Sequence, residues 1–155
     1  MDIRSGKDYP ASALSNFAPH KFTFRGVECG SMEGLLQSLK FKNPEMQKEI
    51  CKLVGRQAKA KGANKNWKTD QTLWWDGNPI KRNSKDYQDL LDEAFESMYR
   101  DSESFRKALI ISGDAVLTHS IGKSKENDTV LTVREFCGRL MRLRRNTRLT
   151  NFGFS

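Results

Sequence analysis

The chain has 155 residues, a formal net charge of +8, 30% charged residues and 37% hydrophobic ones. That length suits one domain with a substantial core, and apolar residues spread over the whole chain exclude a disordered segment of this size. No apolar run approaches the roughly 20 residues of a membrane-spanning helix, so no membrane partner is expected.

The opening "MDIRSGKDYP" lacks the apolar core of a secretory signal. Cys29, Cys51 and Cys137 are odd in number and far apart, with no C-x-x-C or Cys/His spacing. They read as reduced thiols of a cytoplasmic protein (host cytoplasm for a viral one), and neither a metal nor a cofactor is expected. The positive charge is concentrated. Lys40–Lys68 holds nine bases against Glu45 and Glu49, and the end of the chain carries Arg134, Arg139, Arg142, Arg144, Arg145 and Arg148. Such a field suits a phosphate-bearing ligand or nucleic acid, and charge alone equally allows a soluble basic protein with no such partner.

In chain order, residues 1–20 read as loop, punctuated by Pro10 and Pro19. Phe22 and Phe24 alternate before Arg25-Gly26, the pattern of a short strand or hairpin. Ser31 can cap a helix in which Met32, Leu35, Leu36 and Leu39 recur at i, i+3, i+4 and i+7 as a buried stripe. Glu33, Gln37 and Lys40 follow the same spacing and form a second, polar line beside it. Asn43-Pro44 opens the next helix, expected to bury Met46, Ile50, Leu53 and Val54 and to run toward Gly62. Residues 62–83, with Trp67, Trp74 and Trp75, read as a long irregular stretch, a length that usually serves function. Ser84 caps a helix burying Tyr87, Leu90, Leu91, Ala94, Phe95 and Met98, and a shorter helix with Phe105, Ala108 and Leu109 stops at Gly113. "AVLTH" reads as a strand and "SIGKSKEND" as a polar loop. Thr132 and Glu135 form a capping box for a last helix with Phe136, Cys137 and Leu140 inward, followed by a loosely held basic tail.

The expected architecture is α+β and predominantly helical, with a few short strands. It lacks the strand–helix alternation of a doubly wound sheet, a glycine-rich nucleotide signature and the G-x-S-x-G elbow of a serine hydrolase.

Four features carry possible chemistry. A polar helix line such as Glu33, Gln37 and Lys40 is more often solvated surface than site. Gly34, however, costs about 1 kcal/mol relative to alanine inside a helix and makes sense if something approaches the backbone there. Arg56 and Lys59 in "VGRQAKAKG" can contact phosphate. Trp67 lies among Lys61, Lys65 and Lys68 and is either a core anchor or a base-stacking platform. His119, with Thr118, Ser120 and Gly122, sits at a strand exit where ligands approach, or is simply a hydrogen-bonded structural residue.

Taken together, "LSNFAPHKFTFRGVECGSMEGLLQSLKF" resembles the YbiA-like, or NADAR, superfamily. The matching pieces are Ser15-Asn16-Phe17, then Phe22 and Gly26, then Glu33, Gln37 and Lys40-Phe41. Gly55-Arg56 with Lys59, Trp67, and the closing Leu140-Met141-Arg142-Leu143-Arg144 follow. The resemblance runs over about residues 13–145 and implies a YbiA-like single domain over 1–145, with 146–155 as the basic tail. One stretch departs: many members have Asp-x-x-Trp-Gly where this chain has Thr118-His119-Ser120-Ile121-Gly122.

The resemblance implies an N-glycosidase, with Glu33 and Lys40 catalytic. Asn16, Phe17, Gly34, Gln37, Arg56, Lys59, Trp67, His119, Ser120 and Gly122 would bind substrate. The first expected substrate is ADP-ribose attached to guanine in DNA, RNA or nucleotide. The alternatives are a phosphorylated ribosylamino-pyrimidine intermediate of riboflavin synthesis and a non-enzymatic ADP-ribose-binding module. A carboxylate suits the first two because cleavage builds oxocarbenium charge at the anomeric carbon. Lys40 can hold or protonate the leaving base, or attack as a neutral amine; the amine route needs a lowered pKa, for which Lys42 and Arg56 are candidate cations.

Overall fold

The computed structural model describes the chain through Gly153, with side chains through Arg148. A short α1 (Ala11–Leu14) interrupts the expected N-terminal loop, and β1 (Phe22–Phe24) and β2 (Val27–Cys29) form an antiparallel hairpin. Arg25 and Gly26 turn it with φ of 49° and 81°, both in the left-handed region that matches the twist of two-residue hairpins.

The centre of the fold is α2 (Met32–Ser38). The Ser31 hydroxyl accepts the Gly34 amide at 3.0 Å, and Met32, Leu35, Leu36 and Leu39 are all buried in the main core. Next to it lie α3 (Pro44–Cys51), α4 (Gly55–Gly62) and α5 (Lys85–Asp101). The expected single helix after Asn43 is thus two. The break is imposed by α2. Gly30 N–H donates to Cys51 O at 2.8 Å, and the Ser31 hydroxyl donates to Leu53 O at 2.8 Å. These bonds take up carbonyls at the end of α3, and Gly55, with φ +56°, starts the chain anew. The inward side of α3 is also not as expected. Met46 is 47% exposed, while Gln47 is buried. Its amide donates to Ser38 O and Trp74 O and accepts from Asp76 N–H, at 2.8–2.9 Å.

Those last contacts hold a second hairpin, β3 (Thr72–Trp75) and β4 (Asn78–Lys81), inside the stretch expected to be irregular. Asp76-Gly77 turns it with φ of 50° and 80°. Then come α5, α6 (Glu103–Ile111) and α7 (Val133–Gly153). The "AVLTH" segment is not a strand; only a single bridge joins Thr118 to Asp2. A lone 3-10 turn, Glu126–Asp128, lies in the polar loop before α7. The capping box is reciprocal: Thr132 N–H to Glu135 Oε1 at 2.8 Å and Glu135 N–H to Thr132 Oγ1 at 3.1 Å. The expected loose tail continues α7 as far as Gly153, and the tail's side chains beyond Arg148 lie outside the described residues.

The loop 119–131 is pinned from beneath by Arg82, which is fully buried. Its guanidinium grips Glu135 with two bonds of 3.0 and 2.6 Å, donates to Thr129 O at 2.9 Å and lies 4.8 Å from the Tyr87 ring centroid. Tyr87 in turn donates to Val130 O at 2.5 Å. This buried pairing fixes one wall of the cavity described next.

Candidate active site

The polar line of α2 does not face solvent. It floors a cavity of about 620 Å³ whose walls are the Arg4–Ser5 and Ser15–Phe17 segments, the loop after α4 and the loop 119–131, a size typical of small-molecule sites. Glu33, Gln37 and Lys40 all line it. Gln37 is itself 7% exposed and donates its amide to Glu33 Oε1 at 2.9 Å. Lys40 donates from Nζ to Gly62 O at 3.3 Å, a carbonyl at the end of α4.

Burial raises the Glu33 pKa, against the opposing pull of the Gln37 hydrogen bond and the charges of Lys59, Lys40 and His119. Burial also lowers the Lys40 pKa. Glu33 opposes that shift, and Lys68, Lys123 and Lys59 reinforce it. The cations that act on Lys40 are therefore these three, not Lys42 and Arg56. A half-buried carboxylate and a half-buried amine, each shifted by desolvation toward its neutral form and facing one cavity, are what proton-transfer chemistry near neutrality requires.

Of the three buried acceptors without a partner among the described residues, two, Asn16 Oδ1 and Gln37 Oε1, belong to residues that line the cavity. An unpaired buried acceptor is costly, so a ligand that donates hydroxyls is well matched to it. His119 Nδ1 lies 2.7 Å from Ile3 O. A carbonyl only accepts, so Nδ1 carries a proton in this contact. The ring is set edge-on to Phe136 at 5.4 Å. Gly122 lets the loop fold onto it: a Cβ there would lie 2.6 Å from His119 Cδ2.

Among the residues expected to bind substrate, Asn16, Phe17, Gln37, Lys59, Trp67, His119 and Gly122 surround the cavity. Trp67 does so as a core residue, 6% exposed. Three others are elsewhere. Gly34 faces α3: a Cβ would stand 2.6 Å from both Cys51 O and Leu53 O, so its lack of a side chain serves helix packing, not a ligand. Arg56 is exposed on α4, away from the cavity lining. Ser120 turns outward and gives both its N–H and its hydroxyl to the Asp2 carboxylate at 2.7 Å. Conversely, Arg4 and Lys123 line the cavity and were not singled out from the sequence, whereas Lys65 and Lys68, read there as the charges around Trp67, line it as well. They come from segments with no periodicity, and only the fold brings them together. Among the described residues no group of His, Cys, Asp and Glu is arranged to hold a metal, and no helix is long and apolar enough to cross a membrane.

This arrangement belongs to a known architecture. The solution structure of the Escherichia coli protein YbiA superposes with a TM-score of 0.65 over 98% of this chain and 86% of that one, at 16% identity. The protein therefore has a YbiA-like α+β fold. By sequence the relation is closer to phage proteins. The bacteriophage protein GP30.3 family matches residues 8–145, and the chain belongs to that family. An uncharacterized 17.1 kDa protein from the Gp30-rIII intergenic region of Enterobacteria phage T4 is 38% identical over 146 residues, covering 93% of this chain and 96% of that one.

Proposed function

We propose that the cavity is the active site of a NADAR-type N-glycosidase that releases ADP-ribose from guanine in DNA, RNA or nucleotide. The observation that carries this reading is the half-buried, partly desolvated Glu33, held by Gln37 beside Lys40 on the floor of a cation-walled cavity. Glu33 as carboxylate takes a proton from water as the oxygen attacks the anomeric carbon. The bond from that carbon to the base nitrogen breaks, its electron pair leaves with the base, and the Lys40 ammonium supplies the proton the base needs. The carboxylate also offsets the oxocarbenium charge of the transition state. The unpartnered oxygens of Asn16 and Gln37 suit ribose hydroxyls, and Lys59, Lys68, Lys123 and Arg4 suit the two phosphates. No metal enters this scheme.

The test is incubation with a short single-stranded DNA carrying ADP-ribosylated guanine, for wild type, Glu33→Gln and Lys40→Met. Release of free ADP-ribose by wild type, reduced about 10²–10⁴-fold in Glu33→Gln, is the expected result. Binding without release overturns the enzyme in favour of an ADP-ribose-binding module. Absence of both, with turnover of a ribosylamino-pyrimidine phosphate, makes the riboflavin intermediates the substrates.

A further inference from the structure

A second groove of about 200 Å³ adjoins the cavity and shares Lys40, Lys65, Asn66 and Trp67 with it. Its far end is formed by Lys42 and by Trp74 of β3. Two aromatic–lysine pairs mark this side of the molecule. Lys42 Nζ lies 5.1 Å from the Trp74 ring centroid, and Lys65 Nζ lies 4.8 Å from that of Phe41. Both rings are half-buried, whereas the flanking Leu73 and Trp75 are buried in the core. The fold thus leaves one ring of the Trp74-Trp75 pair outside, at the end of the groove away from the cavity.

We propose that this groove holds the nucleotides flanking the modified base of a single-stranded nucleic acid. The ring faces carry only exposed ammonium groups, and a stacked base is held more strongly than an exposed lysine on the same ring. A base arriving on Trp74 displaces Lys42 from the ring and leaves it beside the backbone phosphate. Lys65 lines both the groove and the cavity and continues the positive line inward, while the Phe41 ring it covers lies on the α3 side with Glu45 and Glu49. Asp70 is the only acid in the groove lining, and Glu45 and Glu49 lie beyond Phe41 and Lys42 on the α3 side. These acids keep a polyanion off α3 and on the line from Trp74 to Lys65. Duplex is excluded because a paired base presents no free face to Trp74. The assignment extends the proposed reading of the cavity, and rests on it for what lies at the cavity end of the strand.

The experiment is fluorescence anisotropy of the full chain with a labelled, unmodified oligothymidylate of about 15 nucleotides, across salt concentrations. Wild type should bind with a steep salt dependence. Trp74→Ala should weaken binding about tenfold, with Trp74→Phe restoring most of it. Lys42→Ala and Lys65→Ala should each lower the slope of log affinity against log salt by about 0.7. Absence of binding, equal affinity in Trp74→Ala, or equally tight binding of duplex overturns the groove. Turnover of a free ADP-ribosyl guanine nucleotide separates the two readings. Turnover without strand binding defeats the groove and leaves the enzyme standing. Trp74-dependent strand binding without any turnover does the reverse.

Discussion

Glu33 shows how one side chain can be read twice. By helix spacing alone it sits on a polar line that most helices would turn to solvent. In the fold it is half-buried on the cavity floor, and desolvation makes its carboxyl ionise less readily than usual. The pH dependence of catalysis follows. The free enzyme's acidic limb reports the ionisation of Glu33, so kcat/KM for ADP-ribose release should begin to rise above the ordinary carboxylate value of 4.5. Lys59 is exposed, and its charge favours the carboxylate. Lys59→Ala should therefore move the acidic limb further up. An acidic limb that stays put on that change removes Glu33 from the role of ionising base. The α2 part of the site was legible because Glu33, Gln37 and Lys40 share one helix, where spacing fixes direction. Arg4, Lys123 and the orientation of Ser120 were not, because loops from distant parts of the chain carry no such rule.

At the level of elements, two glycines facing two different neighbours separate stability from activity. Gly34 brings α2 against the carbonyls of Ile50, Cys51 and Leu53, which are backbone and cannot swing aside. Gly34→Ala should lower stability by about 1–3 kcal/mol or more through overpacking, read as a fall in Tm. Gly62 brings the end of α4 against α2 at the site itself. A Cβ there would lie 1.8 Å from Gln37 Oε1 and 3.2 Å from Lys40 Cδ. Those are flexible side-chain atoms, so the fold can adjust, and alanine is the better helix former by about 1 kcal/mol. What is lost is the Gln37 bond to Glu33 and the seat of Lys40. Gly62→Ala should hold Tm nearly constant while reducing kcat about tenfold or more, roughly the 1.4 kcal/mol of one misplaced contact. The same neighbours explain which elements could be read. The caps at Ser31, Asn43, Ser84 and Thr132 are local, and the helices they open were legible from them. The break between α3 and α4 is set by bonds from Gly30 and Ser31, far off in sequence. The Asp76-Gly77 hairpin was missed although Asp-Gly is a strong turn signal, because Trp74, Trp75 and Pro79 obscured the alternation around it. "AVLTH" has strand composition, yet of this segment Thr118 alone forms a bridge, to Asp2, and neither residue lies in a strand.

Across the whole molecule, two half-buried carboxylates pull stability in opposite directions. Burial raises the pKa of Glu33, so the native state binds its proton more tightly than the unfolded chain does. Its contribution to stability therefore falls as pH rises from 4.5 through its native pKa, and is level beyond. Burial also pushes Glu135 upward, but hydrogen bonds from Arg82, the Thr132 N–H and Gln88 outweigh it, and its pKa is lowered from 4.5. Glu135 contributes fully above 4.5, and that contribution disappears as pH falls through its native pKa. One carboxylate holds the wall of the cavity in place; the other destabilises its site, which the proposed chemistry accounts for. Denaturant unfolding at a series of pH values separates them. Glu33→Gln should flatten the decline above 4.5 and gain stability over wild type toward neutrality. Glu135→Gln should flatten the decline below 4.5. Glu135→Ala at neutral pH should cost about 3–5 kcal/mol, because it strands the fully buried Arg82 with only Glu126, 3.6 Å away, as counter-charge. Loss of stability in Glu33→Gln at neutral pH would mean that the carboxylate is a structural partner of Lys40, and would count against its catalytic assignment.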